Sequence, residues 1–180
     1  KRFGDVTALK GVDFHIPSGA IWALLGPNGS GKTTTLRILL GILEADAGTA
    51  TWHGTPVSSL PSRTWGYLPE ERGLYPKMRV REQLVYLCRL QGLPRHDATR
   101  AVDRWLQDLG MADVASRRLE QLSKGNQQKV QFIAAVAHEP PVLLLDEPFS
   151  GLDPANAALL RQVLAELAAF VQREPVRHGG

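Results

Sequence analysis

The sequence predicts an α/β fold in which helices flank a parallel sheet, with a small antiparallel β layer and a helical insertion. Three observations lead to this class. The glycine-rich stretch "GPNGSGKTT" separates an apolar, strand-like run from a helical pattern. A second apolar run, "VLLLDEP", ends in two carboxylates and is typical of a buried parallel strand. Between the two stretches, residues 80–110 follow helical spacing.

The first third of the chain supplies strands and the first helix. Apolar residues within 12–25, interrupted by the turn "PSG", predict a buried strand that stops at Gly26. A helix follows the glycine-rich stretch, and its apolar face carries Leu36, Leu39, Leu40 and Leu43. The stretches "ADAGTATWHG" and "TWGYLPEERGLYP" predict the antiparallel layer and then a strand that continues into a polar loop.

The rest of the chain is mostly helical. Two helices are expected on either side of "GLPRHDA", and a third begins at "LSKGNQQK". The strand in "EPPVLLLDEP" and a last helix near Pro154, which suits a first helical turn, complete the pattern. We therefore expect one domain over residues 1–180, with a core formed by 1–77 and 123–180 and a helical subdomain at about 78–122.

Composition indicates a globular protein of a reducing compartment. The 180 residues are 43% hydrophobic and 22% charged, and scattered basic residues giving a net charge of +3 argue against nucleic acid as a partner. The lone cysteine, Cys88, falls on the apolar stripe of a predicted helix, which favours packing over reactivity. No apolar run approaches the ~18 residues of a membrane span. The chain begins at Lys1, with no initiator Met and no signal-peptide pattern, so we expect its first residues to be missing.

The glycine-rich stretch satisfies the Walker A pattern G-x-x-x-x-G-K-[ST]. Glycines let successive backbone N–H groups turn inward around phosphate oxygens, Lys32 reaches the β- and γ-phosphates, and Thr33 offers a hydroxyl to Mg²⁺. A chance glycine-rich turn is the weaker interpretation, because the stretch lies between a strand and a helix. The predicted nucleotide-binding residues are Gly26, Pro27, Asn28, Gly29, Ser30, Gly31, Lys32, Thr33 and Thr34.

Two carboxylates at the end of "VLLLDEP" are the candidate catalytic groups. Asp146, at the carboxyl end of the strand, is expected to hold Mg²⁺ together with Thr33. Glu147 is the candidate general base for an attacking water. A solvated strand end is the alternative, but the paired carboxylates following an apolar run favour a metal and a base.

The stretch "LSKGNQQK" looks like a second anion site, because Ser123 can cap a helix whose first turn is rich in N–H donors. The order of a P-loop, this stretch, "VLLLDEP" and "SGLDP" resembles the ATP-binding subunit of an ABC transporter over roughly residues 1–165. The resemblance implies a P-loop NTPase core with a RecA-like sheet, ATP and Mg²⁺ as ligands, and ATP hydrolysis.

The resemblance also implies a head-to-tail dimer of two nucleotide-binding domains, in which the signature of one chain contacts ATP on the other. The signature residues would be Ser123, Lys124, Gly125, Asn126 and Gln127. The usual form is L-S-G-G-Q, so Lys124 and Asn126 depart from it, and Lys124 adds a positive charge near a triphosphate. A simple Ser-capped helix is the alternative, but it would not explain the order of the motifs.

Three further positions match the family. Phe3 stands where an aromatic stacks on adenine, with a core Phe as the alternative. Glu70 takes the place of the usual Q-loop Gln, with a merely solvated Glu as the competitor. Asp153 matches the D-loop, although a plain turn residue would also fit.

The match fails in the tail. The family continues with a strand that ends in a switch histidine, whereas this chain ends "LAAFVQREPVRHGG". His178 is the only candidate and its context differs, so we expect a frayed terminal histidine and a truncated or divergent C-terminus that lacks the switch strand.

The implied function is ATP hydrolysis that powers a membrane permease from the cytoplasmic face of the cell membrane. The implied partners are a second nucleotide-binding domain, identical or not, and a transmembrane permease. "GYLPEERGLYPKM" together with the signature is most similar to the sodium- or drug-efflux exporter type. The alternatives are a soluble ABC-type ATPase and an ATP-binding remnant with little turnover. The transported substrate is not encoded in this chain, because its contacts would lie on the permease.

Overall fold

The structure is a computed structural model that describes residues 1–70, 73–149 and 152–173. Within these ranges the chain forms two compact units: residues 1–59 with the chain from Ala158 onward, and residues 60–157. Helices and strands occur in both units, which confirms the α/β class predicted from the sequence.

The described part of the first unit contains two short hairpins, one helix between them and, from Ala158 onward, most of the last helix of the chain. In one hairpin, β1 (Arg2–Phe3) pairs antiparallel with β2 (Val6–Thr7). In the other, β3 (Thr51–Trp52) pairs antiparallel with β4 (Thr55–Pro56). Helix α1 (Lys32–Leu39) begins directly after the glycine-rich stretch. The predicted small antiparallel layer and the predicted first helix are therefore confirmed.

The buried strand expected within residues 12–25 is not formed, so that prediction is wrong for this structure. Phe14 and Trp22 stack on one another, with ring centroids 4.6 Å apart, across the turn between them. Ile21 and Leu25 are 72% and 88% exposed. A strand needs a neighbour for its N–H and C=O groups, and no described residue pairs with this segment as a strand. The segment therefore has the apolar composition of a strand but lacks a neighbouring strand among the described residues.

A parallel strand pair organises the second unit. Strand β5 (Trp65–Leu68) lies parallel to β6 (Val142–Leu145), in register from Trp65 opposite Val142 to Leu68 opposite Leu145. Gly66 is needed here, because a Cβ at this position would collide with the backbone oxygen of Ala135. The predicted strand ahead of the polar loop and the predicted parallel strand are both confirmed, although the residues of β6 are half-buried rather than buried.

After α1, the described residues form four further α-helices. They are α2 (Val80–Leu90), α3 (Arg95–Asp108), α4 (Lys124–Val136) and α5 (Pro154–Arg173), each close to its predicted position. Among the helices that the structure describes, not one has the length and apolar character that crossing a membrane requires.

The core of the second unit is apolar and close-packed. Trp105 meets Phe132 edge to face, with ring centroids 5.9 Å apart, and joins α3 to α4. Cys88 is buried, and burial raises the pKa of its thiol to about 11. The packing role predicted for this cysteine is thereby confirmed. Further side chains that are almost fully buried are Leu84, Val102, Leu106, Met111 and Ile133.

Candidate functional site

The glycine-rich loop of the first unit takes a backbone shape that requires glycine. Gly31, the residue before α1, has φ +92°, and a Cβ there would lie 2.5 Å from Leu9 Cδ2 and 2.7 Å from the Ala8 oxygen. Gly29 also has a positive φ, +80°, but a Cβ there would meet no protein atom within 4 Å. The conformation is available to glycine at both positions, and only Gly31 is also confined sterically.

The start of α1 presents donors that suit the predicted phosphate site. The first bond of the helical ladder runs from Thr35 N to Gly31 O at 2.8 Å, so the N–H groups of the preceding three residues point out of the helix end. Lys32 Nζ donates to the oxygens of Gly26 and Pro27 at 2.8 and 3.2 Å. This ammonium spans the loop whose N–H groups would hold phosphate oxygens. The half-buried hydroxyl of Thr33 lies in the first turn of the same helix.

The two predicted catalytic carboxylates follow β6. Asp146 N donates to Leu68 O at 2.8 Å, which continues the ladder between β6 and β5 beyond the last strand residue. The Asp146 side chain is only 3% exposed, and its Oδ2 accepts no hydrogen bond from the described residues. An unpaired, buried carboxylate oxygen fits a ligand of Mg²⁺, which prefers oxygen donors. The residue therefore suits the metal role that the sequence predicts.

Glu147 leaves the strand with a strained backbone. Its φ is +50°, in the left-handed region that is unfavourable for a residue with a Cβ, and its side chain is exposed. Such strain is concentrated at functional sites, where a side chain must take an unusual direction. The exposed position is compatible with access to a water molecule.

Glu70 emerges at the same edge of the sheet. The register places Leu68 opposite Leu145, so Pro69 and Glu70 leave β5 beside the point where Asp146 and Glu147 leave β6. The Glu70 side chain is exposed, as the solvated alternative also requires. Three carboxylates thus leave one edge of a parallel pair, the edge at which α/β folds bind their ligands.

The signature stretch forms the start of α4. Ser123 Oγ accepts from Asn126 N at 3.3 Å, so the predicted cap is present. Gln127 turns its side chain toward its own chain, because Nε2 donates to the oxygens of Leu119 and Leu122 at 3.1 Å each. Ser123 and Lys124 remain exposed. The exposed groups of this helix start are those that a second molecule can reach.

Asp153 caps the next helix and lies near the signature. Its Oδ1 accepts from the N–H groups of Ala155 and Asn156, both at 3.0 Å, and Oδ2 accepts from Asn156 Nδ2 at 2.5 Å. These bonds, those from Asn156 foremost, lower the pKa of Asp153. A Cβ on Gly125 would lie 3.0 Å from Asn156 Nδ2 and 3.7 Å from Asp153 Oδ2. Asp153, predicted as the D-loop residue, thus caps α5 and lies close to the glycine of the signature stretch.

Of the two candidates near the chain ends, Phe3 lies at the surface and His178 lies outside the described residues. Phe3 is 49% exposed, and the Lys1 ammonium lies 5.6 Å from its ring centroid, so it is not a core residue. This exposure leaves a ring face available for stacking. His178, and with it the expected C-terminus, lies outside the described residues, as do Ser150 and Gly151 of the "SGLDP" motif.

Sequence reasoning missed two polar residues that the fold brings to this site. Gln131 Nε2 donates to the oxygen of Pro69 at 3.0 Å, and Asn156 contacts both Asp153 and the signature glycine. Each interrupts an otherwise apolar or neutral helical pattern. A polar residue on the buried face of a helix could have signalled Gln131, because such a group requires a hydrogen-bonding partner.

Comparison with known protein families and sequences relates most of the chain to ABC transporters. The ABC transporter family model matches residues 9–150. The chain is 52% identical over 167 residues to the uncharacterized ABC transporter ATP-binding protein YhaQ of Bacillus subtilis, covering 93% of this chain and 56% of that protein. It is 38% identical over 175 residues to the sulfate/thiosulfate import ATP-binding protein CysA of Mycobacterium bovis, covering 96% of this chain and 48% of that protein. The chain spans about half the length of these curated relatives.

Comparison with solved structures agrees at the level of the backbone. The structure titled "Structure of ATP binding subunit of ABC transporter" aligns with a TM-score of 0.81 and 31% sequence identity. The alignment covers 91% of this chain and 69% of that chain.

Proposed function

Because this chain belongs to the ABC transporter family of ATP-binding domains, we propose that it binds Mg·ATP and hydrolyses it to power a membrane permease. The observation that carries the proposal is the glycine-rich loop at the start of α1. Its outward N–H groups and the ammonium of Lys32 supply the donors that a triphosphate requires.

Lys32 has a defined task in this proposal. Its ammonium donates to two backbone oxygens of its own loop, and an incoming phosphate would take over those donors. The loop is held in shape by Gly31 and by the hydroxyl of Thr35, which donates to Gly31 O at 2.9 Å. A loop that is ordered before binding loses less conformational entropy when the ligand arrives.

Asp146 and Thr33 would hold Mg²⁺, and the bound ion would supply charge neutralisation at the phosphate oxygens. Glu147 would accept the proton of the attacking water, since its carboxylate is exposed just beyond the buried metal ligand. Glu70 leaves the neighbouring strand and would order water or metal ligands at the same edge.

A second nucleotide-binding domain is the proposed first partner. Ser123 and Gly125 would contact the γ-phosphate of ATP bound to that domain, while Asn126 N and Gln127 N, which donate to Ser123 Oγ and O, would hold the first turn of the helix in shape. Lys124 is exposed and would add a positive charge to the contact. Gln127 would support this helix start from within, because its side chain and its backbone N–H both donate to oxygens of its own chain.

A transmembrane permease is the proposed second partner, with this chain at the cytoplasmic face of the cell membrane. The exporter direction rests on the similarity of "GYLPEERGLYPKM" and the signature to efflux-type subunits. One relative is named for import, so transport assays on membrane vesicles must decide the direction.

Calorimetric titration of Mg·ATP into the Lys32→Ala variant tests the proposal. The loss of a charged donor costs about 1.5–3 kcal/mol, which corresponds to a Kd raised about 10- to 100-fold. Lys10→Ala is the matched control, because it removes the same charge from an exposed lysine near the loop. An ATP affinity that is equal in the two variants would exclude nucleotide binding at this loop.

A further inference from the structure

A buried glutamine joins the signature helix to the end of strand β5. Gln131 lies on α4 and is 4% exposed, and its Nε2 donates to the backbone oxygen of Pro69 at 3.0 Å. Pro69 immediately follows the last residue of β5, so its oxygen is the first acceptor beyond the strand. The bond connects residues 62 positions apart in the sequence.

The bond acts at the edge where the carboxylates emerge. Pro69 separates β5 from Glu70, and Asp146 N is bonded to the strand residue just before Pro69. The direction in which the chain leaves β5 therefore depends on the anchoring of the Pro69 peptide group. Gln131 is buried and Pro69 is half-buried, so loss of this donor would leave a carbonyl with restricted access to a replacement partner.

Helix α4 connects Gln131 to the signature stretch at its start. Gln131 follows Ser123 by eight residues, which is about 12 Å along a helix at about 1.5 Å per residue. The helix is also seated directly on β5, because Gly66 permits backbone contact at Ala135. A displacement at the start of α4 is thus transmitted through a rigid element to the Pro69 oxygen.

We propose that Gln131 is a positioning residue that fixes Glu70 relative to Asp146 and links this edge to the signature helix. The link to nucleotide chemistry rests on the proposed function, whereas the local anchoring of Pro69 does not.

Hydrogen–deuterium exchange of the 180-residue chain measures the anchoring directly. Gln131→Met keeps the length and burial of the side chain and removes its donors, and we expect exchange in the peptide spanning residues 65–70 to rise at least about 5-fold. Exchange across α2 and α3 should stay within about 2-fold of the native chain. Gln128→Met is the matched control, because Gln128 is a buried glutamine on the same helix and has no bond to Pro69.

A second variant tests the donor itself. In Gln131→Glu the ionised side chain places a carboxylate next to the Pro69 oxygen, and the two acceptors repel each other. The protonated side chain has an O–H group that can donate to the same oxygen. Burial raises the pKa of such a carboxyl, so protonation becomes accessible at mild pH. The measured quantity is the ratio of the exchange rate at residues 65–70 in Gln131→Glu to the rate in the native chain at the same pH. We expect this ratio to fall toward one as the pH is lowered from 8 to 5.5. Gln131→Met should show no such recovery.

The outcomes separate the two proposals. Local exchange that follows this pattern supports the positioning role even if the native chain binds no ATP, which would exclude only the proposed function. If ATP binds, Gln131→Met should lower kcat and leave the ATP Kd within about 2-fold. Unchanged exchange at residues 65–70, or an equal rise in every peptide of both variants, would overturn the positioning role.

Discussion

Substitution of the buried carboxylate Asp146 by asparagine should stabilise the metal-free protein and abolish its response to Mg²⁺. The side chain is 3% exposed and its Oδ2 accepts no hydrogen bond from the described residues. An unpaired buried charge is more costly than an unpaired neutral amide of the same shape. We estimate the gain from Asp146→Asn at about 1–2 kcal/mol, which is the low end for such a group because the strand end is close to the surface.

The gain is measurable as a melting temperature. For a chain of this size 1 kcal/mol shifts Tm by about 2–4 °C, so the variant should melt about 2–8 °C higher in EDTA. The Tm of native protein with ATP should rise when Mg²⁺ replaces EDTA, because a ligand at 100 times its Kd adds about 2.7 kcal/mol to the free energy of unfolding. Asp146→Asn should lose this Mg²⁺-dependent increment.

The matched control is an Asp→Asn substitution at an exposed aspartate that forms an ion pair. Asp103 is exposed and accepts from Arg81 Nε and Nη2 at 2.6 and 2.7 Å, and these bonds lower its pKa. Asp103→Asn should leave Tm unchanged or lower it slightly, because exposed ion pairs contribute little. If Asp146→Asn melts below the native protein in EDTA, or keeps the full Mg²⁺ increment, the assignment of this carboxylate to a metal is wrong.

Three further predictions follow from individual residues. Glu147→Gln should bind ATP normally and hydrolyse it at least about 100-fold more slowly in a phosphate-release assay; a normal rate would assign the base elsewhere. Gly31→Ala should lower the free energy of unfolding, measured in urea, by about 2–4 kcal/mol, and Gly29→Ala should lower it by about 1–2 kcal/mol. Both alanines would have an unfavourable φ, but only the one at position 31 would also clash with backbone, so equal losses would contradict the steric argument. Cys88 should react with a thiol reagent at pH 8 only after denaturation, because burial raises its pKa to about 11, and rapid labelling of native protein would refute its burial. For the same reason the free energy of unfolding should fall as the pH rises from about 9 toward 11.

The sequence predicted those features that depend on local pattern. Helical spacing at Leu84 and Cys88, and again at Val102 and Leu106, marked α2 and α3, whose buried faces carry these residues. The start of α4 was predictable because Ser123 has the chemistry of a cap, and the cap is formed. Periodicity and capping are properties of a few neighbouring residues, so they can be predicted without knowledge of the tertiary contacts.

Features that depend on distant partners were not predictable. The segment 12–25 has the apolar composition of a strand, but composition does not reveal whether a neighbour will pair with it. The bond from Gln131 to Pro69 joins residues 62 positions apart, and no local signal specifies its acceptor. The positive φ angles of Glu139 and Glu147, +55° and +50°, are equally hidden, because sequence patterns place glycine or asparagine at such positions.

The two ends of β5 are fastened to the same stretch of chain, and this arrangement explains why α4 and β5 should act as one element. Gln131 donates to Pro69 O at the end of the strand, and His138, just beyond the helix, bonds through Nε2 to Trp65 O at its beginning, at 3.1 Å. A carbonyl oxygen can only accept, so Nε2 carries the proton, and burial lowers the pKa of His138 and favours the neutral ring. Strand β5 is paired with β6 along its length, and these two bonds add a contact at each of its ends to α4 or to the residues just after it. In the role proposed for Gln131, a displacement of α4 at the signature would therefore shift both ends of β5, including the end from which Glu70 leaves.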